Sequence, residues 1–277
     1  MLATSDRTVT EKDFRRVSQA VQEHCGINLR DGKLELVQAR LAKLLRTRNF
    51  ETTEAYLDHV LNDPGSAEFA HLIDSLSTNL TSFFRESQHF TYLGETFLPA
   101  LITRKQTRNE STIRGWCAAS STGEEPYTLA MILLDVLQKQ AVDFNARILA
   151  TDISHRVLHV ARQGIYDRQR VAPVPPAMRA RYFTSRNGAL EVVAAVRNIV
   201  RFAHLNLVKP WPLNGPLDFI FCRNVMIYFD KPTQQQLVNR FHDILSPGGL
   251  LFTGHCESLT GITHSFRHVQ ATIYQKL

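Results

Sequence analysis

The segment Ile113-Arg114-Gly115-Trp116-Cys117-Ala118-Ala119-Ser120-Ser121-Thr122-Gly123-Glu124-Glu125-Pro126-Tyr127-Thr128-Leu129-Ala130 decides the fold. An apolar run passes into a loop of small residues and then into a helix, with two adjacent carboxylates where that helix begins. A loop built for pyrophosphate is rich in glycine and free of acids, because a helix N-terminus presents unpaired N–H groups and a partial positive charge. This loop has one glycine and two acids. The expected ligand is therefore of nucleotide type yet carries cationic groups, and S-adenosylmethionine, with its sulfonium and ammonium, fits better than NAD or ATP. In the competing reading Glu124 and Glu125 only complement the helix dipole, with Pro126 starting the first turn.

Outward from this segment the pattern is strand, helix, strand. Residues 113–117 and 147–151 read as buried strands separated by a helix over 127–137, which predicts a right-handed crossover and a parallel sheet. Further strands are expected at 217–222 and at 250–253, the latter after the turn Ser246-Pro247-Gly248-Gly249, and 266–269 with 272–275 suit a closing hairpin. Such a sheet binds its ligand at the carboxyl ends of its strands, near a topological switch point. Between Gly164 and Asn206 the rhythm breaks. Residues 181–184, 190–193 and 199–204 read as short strands, and Asn187-Gly188 favours a tight hairpin turn with positive φ. A small antiparallel excursion at about 165–205 is expected within a domain spanning 111–277.

The chain before this is helical in pattern. In residues 33–48, Leu34, Val37, Leu41, Leu44 and Leu45 fall on one side at helical spacing, while Arg40, Lys43 and Arg46 recur on the neighbouring flank. A basic flank is usually a solvated face; its functional reading is a docking surface for something acidic. A second helix carries Phe69, Leu72, Ile73 and Leu76. The stretch 78–86 alternates polar and aromatic residues too closely for an amphipathic helix, and a third helix over 88–103 precedes a charged, flexible run. The domains expected are a helical unit over 1–88, a connecting helix and linker over 89–110, and the sheet domain.

Composition sets the class. With 277 residues, 44% of them hydrophobic, the chain can bury a large core. No apolar run approaches the roughly 20 residues that span a bilayer, so neither secretion nor membrane insertion is indicated and a cytoplasmic location is expected. Cys25, Cys117, Cys222 and Cys256 form no C-x-x-C pair, which argues for reduced, buried thiols over structural zinc or disulfides. The net charge of +6 suits nucleic acid and an acidic protein partner equally.

Two further segments carry polar groups to the expected ligand edge. Asp152 ends the second strand, where an acid can accept hydrogen bonds from both ribose hydroxyls, although Asp also caps helices. In Asp218-Phe219-Ile220-Phe221-Cys222-Arg223-Asn224 a buried strand runs directly into an Arg-Asn pair. Asn224 can make the turn or bind an amino acid moiety; Arg223 can pair with a local acid or grip a carboxylate with two donors. Gly-x-Ser-x-Gly is absent, and the 11 histidines show no H-E-x-x-H or other metal spacing, so no metal is expected. His255-Cys256-Glu257 could suggest a thiol nucleophile, but nothing in the sequence shows Cys256 activated.

Three long motifs, residues 78–86 (Thr-Asn-Leu-Thr-Ser-Phe-Phe-Arg-Glu), 120–127 (Ser-Ser-Thr-Gly-Glu-Glu-Pro-Tyr) and 221–229 (Phe-Cys-Arg-Asn-Val-Met-Ile-Tyr-Phe), closely resemble the chemotaxis receptor methyltransferases of the CheR type. The resemblance covers nearly the whole chain. It implies an α/β fold: a Rossmann-like S-adenosylmethionine methyltransferase sheet with helices on both faces, preceded by a small all-α domain and carrying a small antiparallel β insertion. The implied activity is methyl esterification of glutamates on the cytoplasmic helices of chemoreceptors, without nucleic acid or membrane insertion. Matching positions imply cofactor contacts from Asn79, Thr81, Arg85, Glu124, Asp152, Asn206, Leu207, Arg223 and Asn224. Arg85 or Arg223 is left to orient the target carboxylate, either being equally able to hold the methionine end of the cofactor. The family's use of its helical domain makes Arg40, Lys43 and Arg46 the expected receptor-docking flank. Two departures stand out. Cys256 replaces a usual Ser in a Gly-His-Ser-Glu run, and the loop around Asn187-Gly188 is shorter than in members that hold a receptor's C-terminal pentapeptide tether, which leaves tether binding doubtful. A nucleic-acid amine methyltransferase would need Asn-Pro-Pro-Tyr or Asp-Pro-Pro-Tyr, and neither occurs; a non-catalytic module using the cofactor as an effector is the other rival.

Overall fold

The computed structural model describes residues 9–29, 31–48 and 50–277. Four helices come first: α1 (Glu11–Cys25), α2 (Leu34–Arg46), α3 (Thr53–Asn62) and α4 (Ala67–Leu76). Their starts follow from capping. Thr10 and Asp13 form a reciprocal capping box on α1, and Thr52 and Ser66 cap α3 and α4 through their side-chain oxygens. Val17, Val21, Val37, Leu41, Leu45, Leu57, Leu72 and Ile73 form one buried cluster between these helices.

The expected helix over 88–103 is a composite of α5 (Ser87–Tyr92), a π-helical turn at Leu93–Phe97, and α6 (Leu98–Thr107). The wide turn contains Gly94, whose Cα faces Ile132 so closely that an added Cβ would lie 3.0 Å from its Cγ2. Then follow β1 (Thr112–Cys117), α7 (Glu124–Lys139), β2 (Asn145–Asp152), α8 (His155–Gln163), β3 (Ile165–Tyr166), α9 (Arg168–Val171), α10 (Pro176–Tyr182), β4 (Phe183–Arg186), β5 (Ala189–Val192), α11 (Ala194–Arg197), β6 (Val200–His204), β7 (Leu217–Cys222), α12 (Lys231–Ile244), β8 (Leu245–Thr253), β9 (Phe266–Gln270) and β10 (Ile273–Lys276). The main sheet has the order β6-β2-β1-β7-β8-β10-β9, parallel except where β10 runs against β8 and β9. Along β7, Phe219 and Phe221 face a core shared with α6 and α7, whereas Ile220 and Cys222 face another shared with α12. Helices therefore cover both faces, which is why the parallel strands read as unbroken apolar runs. The chain steps outward from β1 to β2 and β6, then returns to place β7 on the other side of β1. The switch point lies between β1 and β7, and the loops after these strands share one edge.

Three expectations are corrected. Residues 199–204 do not belong to the antiparallel excursion: β6 pairs in parallel with β2, from Ile148 opposite Val200 to Asp152 opposite His204, and forms an edge of the main sheet. The excursion is the three-stranded sheet β3-β5-β4. Its first hairpin strand also starts later than 181, because Arg181 and Tyr182 end α10. The turn itself is as expected, with Asn187 at φ 48° and Gly188 at φ 83°. The expectation of buried thiols holds for three cysteines and fails for Cys256, which is exposed on the turn after β8. No helix among the described residues is long and apolar enough to cross a membrane.

Candidate cofactor site

The loop after β1 is fixed by bonds to the end of β2. Ser120 N–H donates to the Thr151 carbonyl at 2.8 Å, and Ser121 N–H donates to Asp152 Oδ2 at 2.8 Å. The Trp116 indole N–H donates to Thr151 Oγ1, whose hydroxyl bonds the Ala118 carbonyl. Gly123 ends the loop at φ 99°, where a Cβ would stand 2.7 Å from the Tyr166 hydroxyl oxygen; that hydroxyl donates to the Thr122 carbonyl. Glycine is needed here for both its dihedral freedom and its lack of a side chain.

The two acids that follow point to different places. Glu124 is buried, accepts from the Thr122 hydroxyl at 2.7 Å and is paired with Arg170 of α9. It fastens the loop to the small β subdomain and does not line the cavity. Glu125 does line it, accepting from Arg223 at 2.8 Å and from the Cys117 thiol at 3.2 Å. Burial raises the Glu125 carboxyl above its usual range, against the lowering effect of Arg223.

The cavity opens at the carboxyl ends of β1, β2 and β7, with about 1120 Å³ of space continuous with solvent. Asn79, Thr81 and Arg85 from the interdomain loop line it together with Asp152, Asn206 and Leu207 from the sheet domain. Arg223 and Asn224 complete this set, and Leu29, Val37 and Leu76 add apolar wall from the helical front. The interdomain loop is pinned to the sheet domain, since Ser121 Oγ donates to the Asn79 carbonyl and Arg223 donates to the Arg85 carbonyl. Arg85 turns back to its own loop, donating to the Leu80 carbonyl at 2.9 Å. The Asn206 amide bridges the His24 carbonyl and Val208 N–H, tying α1 to the loop after β6. Asp152 accepts from two backbone N–H groups, of Ser121 and Ser154; burial nevertheless raises its carboxyl above the ordinary value.

Beneath the cavity lies a charge network in which the sequence suggested only that Arg223 can pair with a local acid. The Arg223 side chain is fully buried and paired with Glu86 at 2.9 Å as well as Glu125. Burial alone would raise Glu86, but Arg223, the Asn224 amide and His255 together hold it below the usual carboxylate range. His89 is pushed down to about 4, chiefly by burial and then by Arg223, so it is neutral. Donor atoms of Glu86, His89 and His255 lie within 4.8 Å of one another, but the Arg223 guanidinium on the same Glu86 oxygen disfavours a cation there. Glu257, the neighbour of exposed Cys256, is itself buried. It accepts from the N–H groups of Asn224, Ile227 and Gly254 and so joins the turns after β7 and β8. The signals for Glu86 and Glu257 were their places at the ends of Phe-Phe-Arg-Glu and Gly-His-Cys-Glu. Phe84, Glu86, Ser121 and Asn224 all adopt φ between 46° and 57°. Strained non-glycine backbone thus collects around this cavity, as it does at ligand sites.

These residues suit an S-adenosyl ligand. Apolar walls, a buried Asn79 Nδ2 with no hydrogen-bond partner, and the acids Glu125 and Asp152 share one cleft. Of the expected docking flank, Lys43 and Arg46 are exposed, whereas Arg40 is partly buried and donates to the Leu76 and Ser77 carbonyls at the C-terminus of α4.

Comparison with known proteins agrees in both parts of the chain. Residues 12–77 match the family model described as CheR methyltransferase, all-alpha domain, and residues 79–275 match CheR methyltransferase, SAM binding domain. The chain is 39% identical over 270 residues to Chemotaxis protein methyltransferase 2 of Pseudomonas aeruginosa, covering 96% of this chain and 93% of that one. It is 41% identical to the Chemotaxis protein methyltransferase of Klebsiella aerogenes (96% and 90% covered) and 39% identical to that of Escherichia coli (98% and 93%). With a strand-edge cavity suited to S-adenosylmethionine and both family models matched in order, the chain belongs to the CheR methyltransferase family, enzymes that use S-adenosylmethionine.

Proposed function

We propose that the protein methylates glutamate side chains on the cytoplasmic helices of chemoreceptors, forming methyl esters. The observation that carries this reading is the combination of cationic groups at the cavity wall with the absence of an uncommitted base among the acids there. Lys33 and Arg85 line the cavity, while Glu125 is tied to Arg223 and Asp152 to two backbone N–H groups. An amine acceptor would have to be deprotonated. A glutamate, with an ordinary pKa near 4.3, is already ionised at neutral pH and needs no general base.

Bound S-adenosylmethionine supplies the electrophilic methyl group. In this reading Asp152 faces the ribose and Asn206 and Leu207 flank it, while Asn79, Thr81 and Asn224 hold the polar end. Glu124 acts indirectly, keeping the loop shape through Arg170, and Glu125 takes the place at the cavity that the matching motif gave to its neighbour. Arg223 is committed to Glu125 and Glu86, which leaves Arg85 as the guanidinium better able to swing toward a target carboxylate. Closing the helical front over the cleft strips water from that carboxylate and aligns it, effects that lower a barrier by several kcal/mol. Lys43 and Arg46 offer an acidic receptor helix its docking charge.

The test uses S-adenosylmethionine labelled on its methyl group with a receptor cytoplasmic fragment, followed by alkali. Volatile labelled methanol supports the ester. Base-stable label would replace it with N-methylation, and no transfer would favour a cofactor-sensing module.

A further inference from the structure

Four large hydrophobic side chains are exposed among the described residues: Leu36 at 39%, Leu80 at 82%, Ile227 at 44% and Leu277 at the chain end. Leu36 and Leu80 line the cavity, and Ile227 occupies the turn Met226–Tyr228, whose Tyr228 also lines it. Leu80 is not a loose loop tip. The carbonyls of Asn79 and Leu80 are held by Ser121 and Arg85, so the backbone presents this side chain to solvent in a fixed position. An apolar group displayed this way carries an unfavourable hydration free energy that is relieved when something covers it.

We propose that Leu36, Leu80 and Ile227 form an apolar collar that receives the non-polar face of the substrate helix around its target glutamate. The proposal rests on the receptor-methylation reading above and deepens it. The occupant follows from what adjoins the collar. Leu36 and Lys43 lie on one side of α2, seven positions or about 10 Å apart along the axis, with exposed Arg46 one turn beyond Lys43 and Lys33 just before the first turn. A helix laid along that side meets basic charge at one end and the collar at the other. It therefore carries acidic residues where it passes Lys43 and Arg46, and an apolar face beside the glutamate that enters between Lys33 and Arg85. Charged flanks set docking and register, while the collar decides which glutamate is inserted.

The experiment measures methylation of a receptor cytoplasmic fragment by Leu80→Ser and Ile227→Ser, with S-adenosylhomocysteine binding measured by calorimetry on the same preparations. Each variant is expected to raise the fragment's KM about tenfold, the scale of burying one such side chain, with product binding unchanged in Ile227→Ser, whose side chain is not part of the cavity lining. An unchanged KM in both variants overturns the collar. Weaker product binding with unchanged KM in Leu80→Ser reassigns Leu80 to covering the cofactor and likewise overturns it. If Leu80→Ser loses both activities through a disturbed loop, Ile227→Ser decides alone by its KM. If the wild-type protein forms no base-labile ester on the fragment, the methylation reading itself has failed, which is a separate result.

Discussion

Replacing Arg223 with Met should destabilise the protein strongly and in a pH-dependent way. The guanidinium has no solvent exposure and serves two carboxylates, Glu125 at 2.8 Å and Glu86 at 2.9 Å, along with the Arg85 carbonyl at 2.6 Å. It also lies 5.3 Å from the Phe90 ring centroid. Removing one partner of a buried ionic cluster costs about 3–5 kcal/mol, because the charges left behind stay desolvated. Here two carboxylates of like charge would remain, so the upper half of that range is expected. For a chain of this size that corresponds to a melting temperature lower by roughly 10 °C. The sign of the pH effect follows from linkage. Without Arg223, Glu86 and Glu125 bind protons more readily in the folded state than in the unfolded one, so stability falls as pH rises through their raised values. Urea unfolding should show a larger deficit at pH 7.5 than at pH 5.5, and adding Glu125→Gln and Glu86→Gln should recover part of it. A deficit under about 1 kcal/mol at neutral pH, or one that grows in acid, would refute the network's assigned role.

Three further outcomes are expected. Gly123→Ala should lower stability by more than about 2 kcal/mol, since its φ of 99° is strained for alanine and its Cβ would meet Tyr166 at 2.7 Å; Gly188→Ala, with open space around it, should lose about 1 kcal/mol by the same denaturation measurement. His89, with its folded value near 4 against an ordinary 6.5, adds stability on the order of 3 kcal/mol that is present above pH 6.5 and lost as pH falls toward 4. His89→Gln should flatten the stability profile in that window, and an unchanged profile would count against a neutral buried histidine. Lys43→Glu with Arg46→Glu should weaken receptor methylation while calorimetry finds S-adenosylhomocysteine affinity unchanged; Arg40 is left alone in this test because it caps α4.

The sequence by itself determined the order of elements, the edge of the sheet at which a ligand sits, and the type of ligand. Those properties are local. A buried parallel strand is an apolar run, a capped helix carries its capping residues, and strand, small-residue loop and acid-bearing helix are contiguous in residues 113–130. Asn79, Thr81, Arg85, Asp152, Asn206, Leu207, Arg223 and Asn224 were named together by the family resemblance, with only Asp152, Arg223 and Asn224 also legible from their places at strand ends, and all eight line one cavity. Only the tertiary structure decided which partner each group has. The strand β6 is as short and apolar as those of the excursion, and its pairing with β2 across about 50 residues is written nowhere in its own sequence. Arg40 belongs to the same basic flank as Lys43 and Arg46, yet the end of α4 lies against it and takes its donors. Glu124 and Glu125 are neighbours in sequence, but successive side chains leave a helix about 100° apart. One therefore meets Arg170 of the small subdomain and the other Arg223 beneath the cavity, so the acid that faces the ligand is chosen by contacts 46 and 98 residues away along the chain.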